Sequence, residues 1–172
     1  ASALPTAFTA VKTTYTFAAE PLAADYSAMS SASLRANWSP NNNPLGTNFL
    51  VELTTDSFAT LKASSLTANS FAIFSGLLLD TTYSARVKAL NANGIATAFA
   101  GLNSTRTLSD LPGSPGHGAA AANAIPWTWT LGGNPATIEF FASDETGNSG
   151  WTAGMTGWTS GGCRSSANTP MR

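Results

Sequence analysis

The chain has 172 residues, of which only 10% are charged, with 8 Lys and Arg against 9 Asp and Glu and a formal net charge of −1. That balance sets up no field to draw in a polyanion or an anionic membrane surface, which argues against a nucleic-acid partner. The 43% apolar content can fill a core, yet no segment approaches the roughly eighteen unbroken apolar residues of a membrane span, and the single cysteine, Cys163, excludes an internal disulfide.

The polar residues are mostly Ser, Thr and Asn rather than Lys and Glu, which favours strands and turns over surface helices. The chain opens at Ala1 with no basic-then-apolar leader, so it is expected to be processed or cut from something longer. Leu34, Ala36 and Trp38 alternate with Arg35 and Asn37 and predict a strand with one apolar face. Asn41 to Gly46 reads as a loop, followed by a strand over 47–54 that puts Phe49, Val51 and Leu53 on one side. Another short strand is expected at 71–74. Tyr83, Ala85, Val87 and Ala89 then alternate with Ser84, Arg86 and Lys88, and Asn93-Gly94 supplies residues that tolerate positive φ in a hairpin turn before a partner strand at 96–107. The segment from Pro112 to Gly118, which contains the only histidine, His117, reads as an exposed, linker-like stretch. Beyond it, Ile125, Trp127 and Trp129 share one parity, and Gly132 to Pro135 makes a further loop.

The chain repeats itself at an offset of 91. Trp38 falls on Trp129, Asn43-Pro44 on Asn134-Pro135, Phe49 on Phe140, Pro21 on Pro112, and Thr6-Ala7-Phe8 on Thr97-Ala98-Phe99. A gapless period of about ninety residues is too long for a solenoid and suits tandem domains. Seven short strands per unit with no amphipathic helix indicate an antiparallel sandwich. Here Leu34-Arg-Ala-Asn-Trp38 and the run from Gly76 to Gly94, with its Leu, Thr, Tyr, Val, Ala, Asn and Gly pattern, resemble a fibronectin type III repeat of the kind arrayed in bacterial surface and secreted proteins. The resemblance implies an all-β, immunoglobulin-like fold in tandem. It makes Trp38 the core tryptophan, Leu77 the leucine before the corner, and Tyr83 the tyrosine whose hydroxyl bonds back to the backbone. Phe49, Val87, Trp129 and Phe140 join them as expected core.

The domain organisation that follows is 1–17 as an orphan last strand of a preceding repeat, 18–109 as one sandwich, and 110–172 as a second, truncated one. Residues 5–17 correspond to 96–108, and Ala167 to Met171 resembles Leu79 to Tyr83 at an offset of 88, so the second unit is expected to stop where its sixth strand should begin. An unpaired sheet edge templates strand addition, so the orphan strand of one molecule completing the open sandwich of the next would propagate a filament.

No catalytic, cofactor or metal-binding residue is expected. His117 lacks a fixing partner, Cys163 has no basic neighbour beyond Arg164, and Asp144-Glu145 read as a surface turn rather than a carboxylate pair or calcium site. Trp151 and Trp158 recur in Gly-Trp-Thr contexts. Core packing is expected for Trp158, while Trp151 is the candidate carbohydrate contact. The expected function is that of non-enzymatic spacer or adhesion modules outside the cell or on its surface, with neighbouring domains of the same array as partners. A carbohydrate-binding accessory region of a larger secreted hydrolase and a filament subunit are the alternatives.

Overall fold

The computed structural model describes residue 12 and residues 14–144 and 147–161. Every regular element in this range is a strand, twelve in all. The first seven are β1 (Leu22–Ala23), β2 (Ser33–Ser39), β3 (Asn48–Thr54), β4 (Ala63–Thr67), β5 (Phe71–Ser75), β6 (Thr82–Leu90) and β7 (Ala100–Arg106). They form a three-stranded sheet in the order β1-β2-β5 and a four-stranded sheet in the order β4-β3-β6-β7. The remaining five are β8 (Gly113–His117), β9 (Ala124–Thr130), β10 (Glu139–Phe140), β11 (Thr152–Ala153) and β12 (Gly157–Gly161), in a β12-β9-β8 sheet and a β10-β11 ribbon.

The strands form where the apolar period is two. Leu34, Ala36 and Trp38 on β2, Phe49, Val51 and Leu53 on β3, and Tyr83, Ala85, Val87 and Ala89 on β6 are all buried. Between them Arg35, Asn37, Glu52, Arg86 and Lys88 are only partly covered, as pleating requires of a sheet with one face packed. The two inner faces meet where the Trp38 ring lies 5.6 Å from that of Phe49. This is an antiparallel, all-β sandwich, the class that the alternating apolar pattern predicts. Leu77 and Phe140 are buried as well.

By backbone proximity the chain divides into two compact units whose limits cut through β2, β5, β6 and β7. The first gathers the described residues up to Asp25 with Ala36–Ala72 and Ser84–Asn103, and its core is Trp38, Phe49, Val51, Leu53, Val87 and Leu102. The second gathers Tyr26–Arg35, Ile73–Tyr83 and the described residues from Ser104 onward, with Leu34, Phe74, Leu77, Tyr83 and Phe140 buried in it.

Three expectations change. The stretch 112–118 is not a linker, because Gly113–His117 is strand β8, paired to β9 through Gly113↔Thr130, Gly116↔Thr128 and His117↔Trp127. Pro115 fits there because β8 is an edge strand whose register shifts between Gly113 and Gly116, a place where a missing N–H breaks no ladder bond. Trp129 is half-buried rather than core, with its indole Nε1 donating to the Met155 carbonyl at 2.8 Å, and Trp158 is likewise only partly covered. In the β6–β7 turn only Gly94 has left-handed φ (+76°); Asn93 does not. The strand after it starts at Ala100, with a single bridge from Leu90 to Ala96 ahead of it.

Of the orphan strand, residues 1–11 and 13 lie outside the described residues, and 14–17 carry no strand pairing. Cys163, Arg164, Glu145 and the segment 167–171 also lie outside them.

Candidate functional site

The 91-residue repeat has a hydrogen-bonding reason that sequence reading treats as mere punctuation. Asn43, in the β2–β3 loop, donates from Nδ2 to the carbonyls of Ala19 (2.7 Å) and Pro40 (2.7 Å), and its Oδ1 accepts from the Ala19 N–H (2.8 Å). Its counterpart Asn134 does the same one repeat later, donating to the carbonyls of Asp110 (2.7 Å) and Leu131 (2.7 Å) and accepting from the Asp110 N–H (2.6 Å). Each copy therefore fastens its leading segment to its own loop through one side-chain amide, whose donor and acceptor sides match a backbone N–H and C=O together. The neighbouring position shows how two residue types solve one problem. Asn41 (φ 52°) donates its Nδ2 to the Glu20 carbonyl at 2.8 Å, whereas the equivalent Gly132 (φ 68°) lets the Leu111 carbonyl come so close that a Cβ would stand 2.0 Å from it.

Asn91 is the second loop residue the sequence gives no signal for. Its Oδ1 accepts from the N–H groups of Asn93 (3.0 Å) and Ile95 (2.9 Å), shaping the turn, and its Nδ2 donates to the Thr16 carbonyl at 3.1 Å. Around it lies a shallow cleft of about 260 Å³ bordered by Tyr15, Phe17, Asn43 and Leu45. Phe17 is 81% exposed, and Tyr15, Leu45 and Ile95 are also open to solvent. The cleft has no ionisable side chain other than the tyrosine phenol among its lining residues.

On the outward face of the four-stranded sheet the Arg86 guanidinium sits 4.2 Å from the Phe58 ring centre and 4.1 Å from that of Phe99. It also pairs with Glu52, Nη2 to Oε2 at 2.6 Å, and Lys88 Nζ lies 4.5 Å from the Phe99 ring. The cation is held by rings on two sides and a carboxylate on a third, which organises the surface rather than opening a site.

Tyr83 reaches upstream as the corner pattern requires: its phenolic oxygen accepts from the Leu78 N–H at 2.9 Å. His117 is exposed, with its ring edge-on to Trp127 at 6.3 Å and its Nδ1 3.0 Å from the Gly118 carbonyl. Trp151 is 69% exposed and leans on Phe141, which is 46% exposed, with ring centres 5.3 Å apart. The turn behind this pair is braced by Ala142 N to Ser149 Oγ (2.9 Å) and Ser149 N to the Ala142 carbonyl (2.8 Å). Among the described residues no group of three or more His, Cys, Asp or Glu is placed to hold a metal, and no helix is long and apolar enough to cross a membrane.

No family model matches the sequence, and no curated protein matches it. Solved structures do. A computationally redesigned β-sandwich protein matches with a TM-score of 0.45 and 16% identity, over 54% of this chain and 93% of that one. The FN5 domain of Drosophila Lar matches with a TM-score of 0.40 and 20% identity, over 52% and 96%. A fibronectin type III domain from the human KIAA0970 protein matches with a TM-score of 0.42 and 16% identity, over 56% and 77%.

Proposed function

We propose that this chain, an all-β protein of fibronectin type III-like fold, serves as a run of non-enzymatic spacer or adhesion modules outside the cell or on its surface. The observation that carries this is the pinned connection between its two copies. Only residues 107–112 lie between β7 and β8, and Thr107, Leu108 and Asp110 among them are tied down by hydrogen bonds. Thr107 is buried, accepts from the Thr81 N–H at 3.0 Å and donates to the Leu78 carbonyl at 2.6 Å. Leu108 N–H donates to the Ser30 carbonyl at 3.0 Å, and Asp110 is clasped by Asn134. A tether would leave these groups to water; a spacer that transmits position needs them tied.

The test is backbone ¹⁵N relaxation on the whole chain. One rotational correlation time common to 22–106 and 113–161 is expected, with the two becoming distinct in Asn134→Ala. Two independent correlation times in the unaltered protein would sink the spacer reading.

A second reading rests on the Phe141–Trp151 pair, an exposed aromatic ledge of the sort on which sugar rings stack. It would make the second copy a carbohydrate-binding accessory to an enzyme elsewhere. Glycan-array binding that disappears in Trp151→Ala supports it, and an array with no binding removes it.

A further inference from the structure

Tyr15 and Phe17 lie on a segment that asparagine side chains fix to the first copy. Asn91 Nδ2 donates to the Thr16 carbonyl at 3.1 Å, Asn43 clasps Ala19, and Asn41 Nδ2 donates to the Glu20 carbonyl at 2.8 Å. The two rings are nonetheless 55% and 81% exposed. A fixed backbone with open rings presents a surface to a ligand, because fixing the segment in advance removes much of the ordering cost of binding. The repeat register shows that these positions do not need aromatic residues for the fold. Tyr15 corresponds to Arg106 and Phe17 to Leu108. There Arg106 pairs with Asp80 at 2.6 Å, and the Leu108 N–H donates to the Ser30 carbonyl. Asn48, which borders the same cleft, corresponds to Glu139. Where one copy has a cation and a carboxylate, the other has a phenol and an amide.

Along this cleft of about 260 Å³, Tyr15, Phe17 and Leu45 supply apolar surface and Asn48 supplies an amide. The Asn48 side chain and the Tyr15 hydroxyl make no hydrogen bond among the described residues, so both are open to a ligand. An aromatic face beside groups that donate and accept matches a sugar ring, whose C–H face stacks and whose hydroxyls need both kinds of partner. The charges favour a neutral sugar. No cation is among the described lining residues, and Glu20 borders the hollow on the other side of Phe17, where an anionic ligand would meet a like charge. The volume lies just below the roughly 300 Å³ at which ligand pockets begin, which suits a single ring rather than a length of peptide. We propose that this cleft binds the terminal unit of a neutral glycan, with Phe17 as the stacking platform and the Asn48 amide and Tyr15 hydroxyl as its polar contacts. The site shares no residue with the Phe141–Trp151 pair.

The experiment titrates uncharged oligosaccharides, namely cellohexaose, mannohexaose and N-acetylated chitohexaose, into the ¹⁵N-labelled whole chain. At least one is expected to shift the Asn48 side-chain amide and the Phe17 backbone amide along a saturable curve, with a Kd of about 1 mM or tighter. Phe17→Ala should weaken that binding at least about tenfold by removing the platform, and Phe17→Tyr, which keeps a ring, should stay within about threefold of the original. Phe17 is mostly exposed, so neither change disturbs the core. Asn48→Ala should weaken binding at least about fivefold. A galacturonate hexamer, the anionic control, should bind at least about tenfold more weakly than the best neutral sugar. The readout is at Asn48 and Phe17, so it is independent of any sugar held at Trp151. The proposal is overturned by the absence of a saturable shift with every neutral sugar, by a shift indifferent to Phe17→Ala, or by tighter binding of the galacturonate hexamer. A Pro-rich peptide that shifts Asn48 where no sugar does would assign the cleft to a peptide and overturn it too.

Discussion

Asp56 opens the loop between β3 and β4 and is its organising residue. The Thr54 hydroxyl donates to Oδ1 at 2.5 Å, the Thr60 hydroxyl to Oδ2 at 2.5 Å, and the Thr60 N–H to both oxygens. These donors favour the ionised form and hold the carboxyl down from 3.8 to about 2, the Thr54 hydroxyl contributing most. Because the folded value lies below the unfolded one, the stabilisation is fully present above pH 3.8 and is lost as pH falls through about 2. An NMR titration of the Asp56 side-chain carbon should have its midpoint near 2, and Asp56→Asn should remove that part of the acid dependence of stability. A midpoint at the ordinary carboxylate value would contradict the assigned hydrogen bonds. Tyr83 poses a simpler case. Tyr83→Phe keeps the ring in the core and removes the acceptor of the Leu78 N–H, which should cost about 1–2 kcal/mol in denaturant unfolding. Asn134→Ala should cost about 1–3 kcal/mol, since the buried amide serves three backbone groups at once. The Asp110 partner of Asn134, 24 residues away, is too distant to be read in advance, whereas the spacing of Tyr83 from Leu77 is itself a signal.

Among the elements, β2, β3 and β6 were legible because their apolar residues alternate and one face is packed, so a one-residue slip would turn the whole apolar set outward. β8 was not. Gly113-Ser-Pro-Gly-His117 has the composition of a loop, and its strand character comes from pairing with β9, not from its own side chains. The glycines are part of that pairing: a Cβ at Gly113 would stand 2.8 Å from the Thr130 hydroxyl, and one at Gly116 would stand 3.2 Å from that of Thr128. Native-state hydrogen exchange distinguishes the two descriptions. Amides of β8 that donate into the β9 ladder should exchange at least about tenfold more slowly than an unstructured Gly-Pro stretch; exchange at the free-peptide rate would mean that β8 is a linker after all.

At the scale of the whole molecule, fourteen of the fifteen buried hydrophobic residues among the described ones fall between Leu34 and Leu102, and Phe140 alone of them lies beyond. Four of the five tryptophans, at 127, 129, 151 and 158, are in the second copy. Its smaller core should open first, so the fluorescence transition in denaturant is expected to precede loss of amide protection in β2, β3 and β6. Coincident transitions would show that the two copies unfold as one. The sequence by itself determined the all-β class, the register of the 91-residue repeat and the alternating core of the first copy, because each is a property of spacing along one chain. The tertiary structure alone decided three things: that the Asn43 and Asn134 loops are clasps, that the glycine-rich stretch is a strand, and that the opening Trp38 echoes in Trp129 only partly covered. In each the deciding partner is a backbone group or a facing strand some ten or more residues away, and spacing along the chain carries no information about whether such a partner is there.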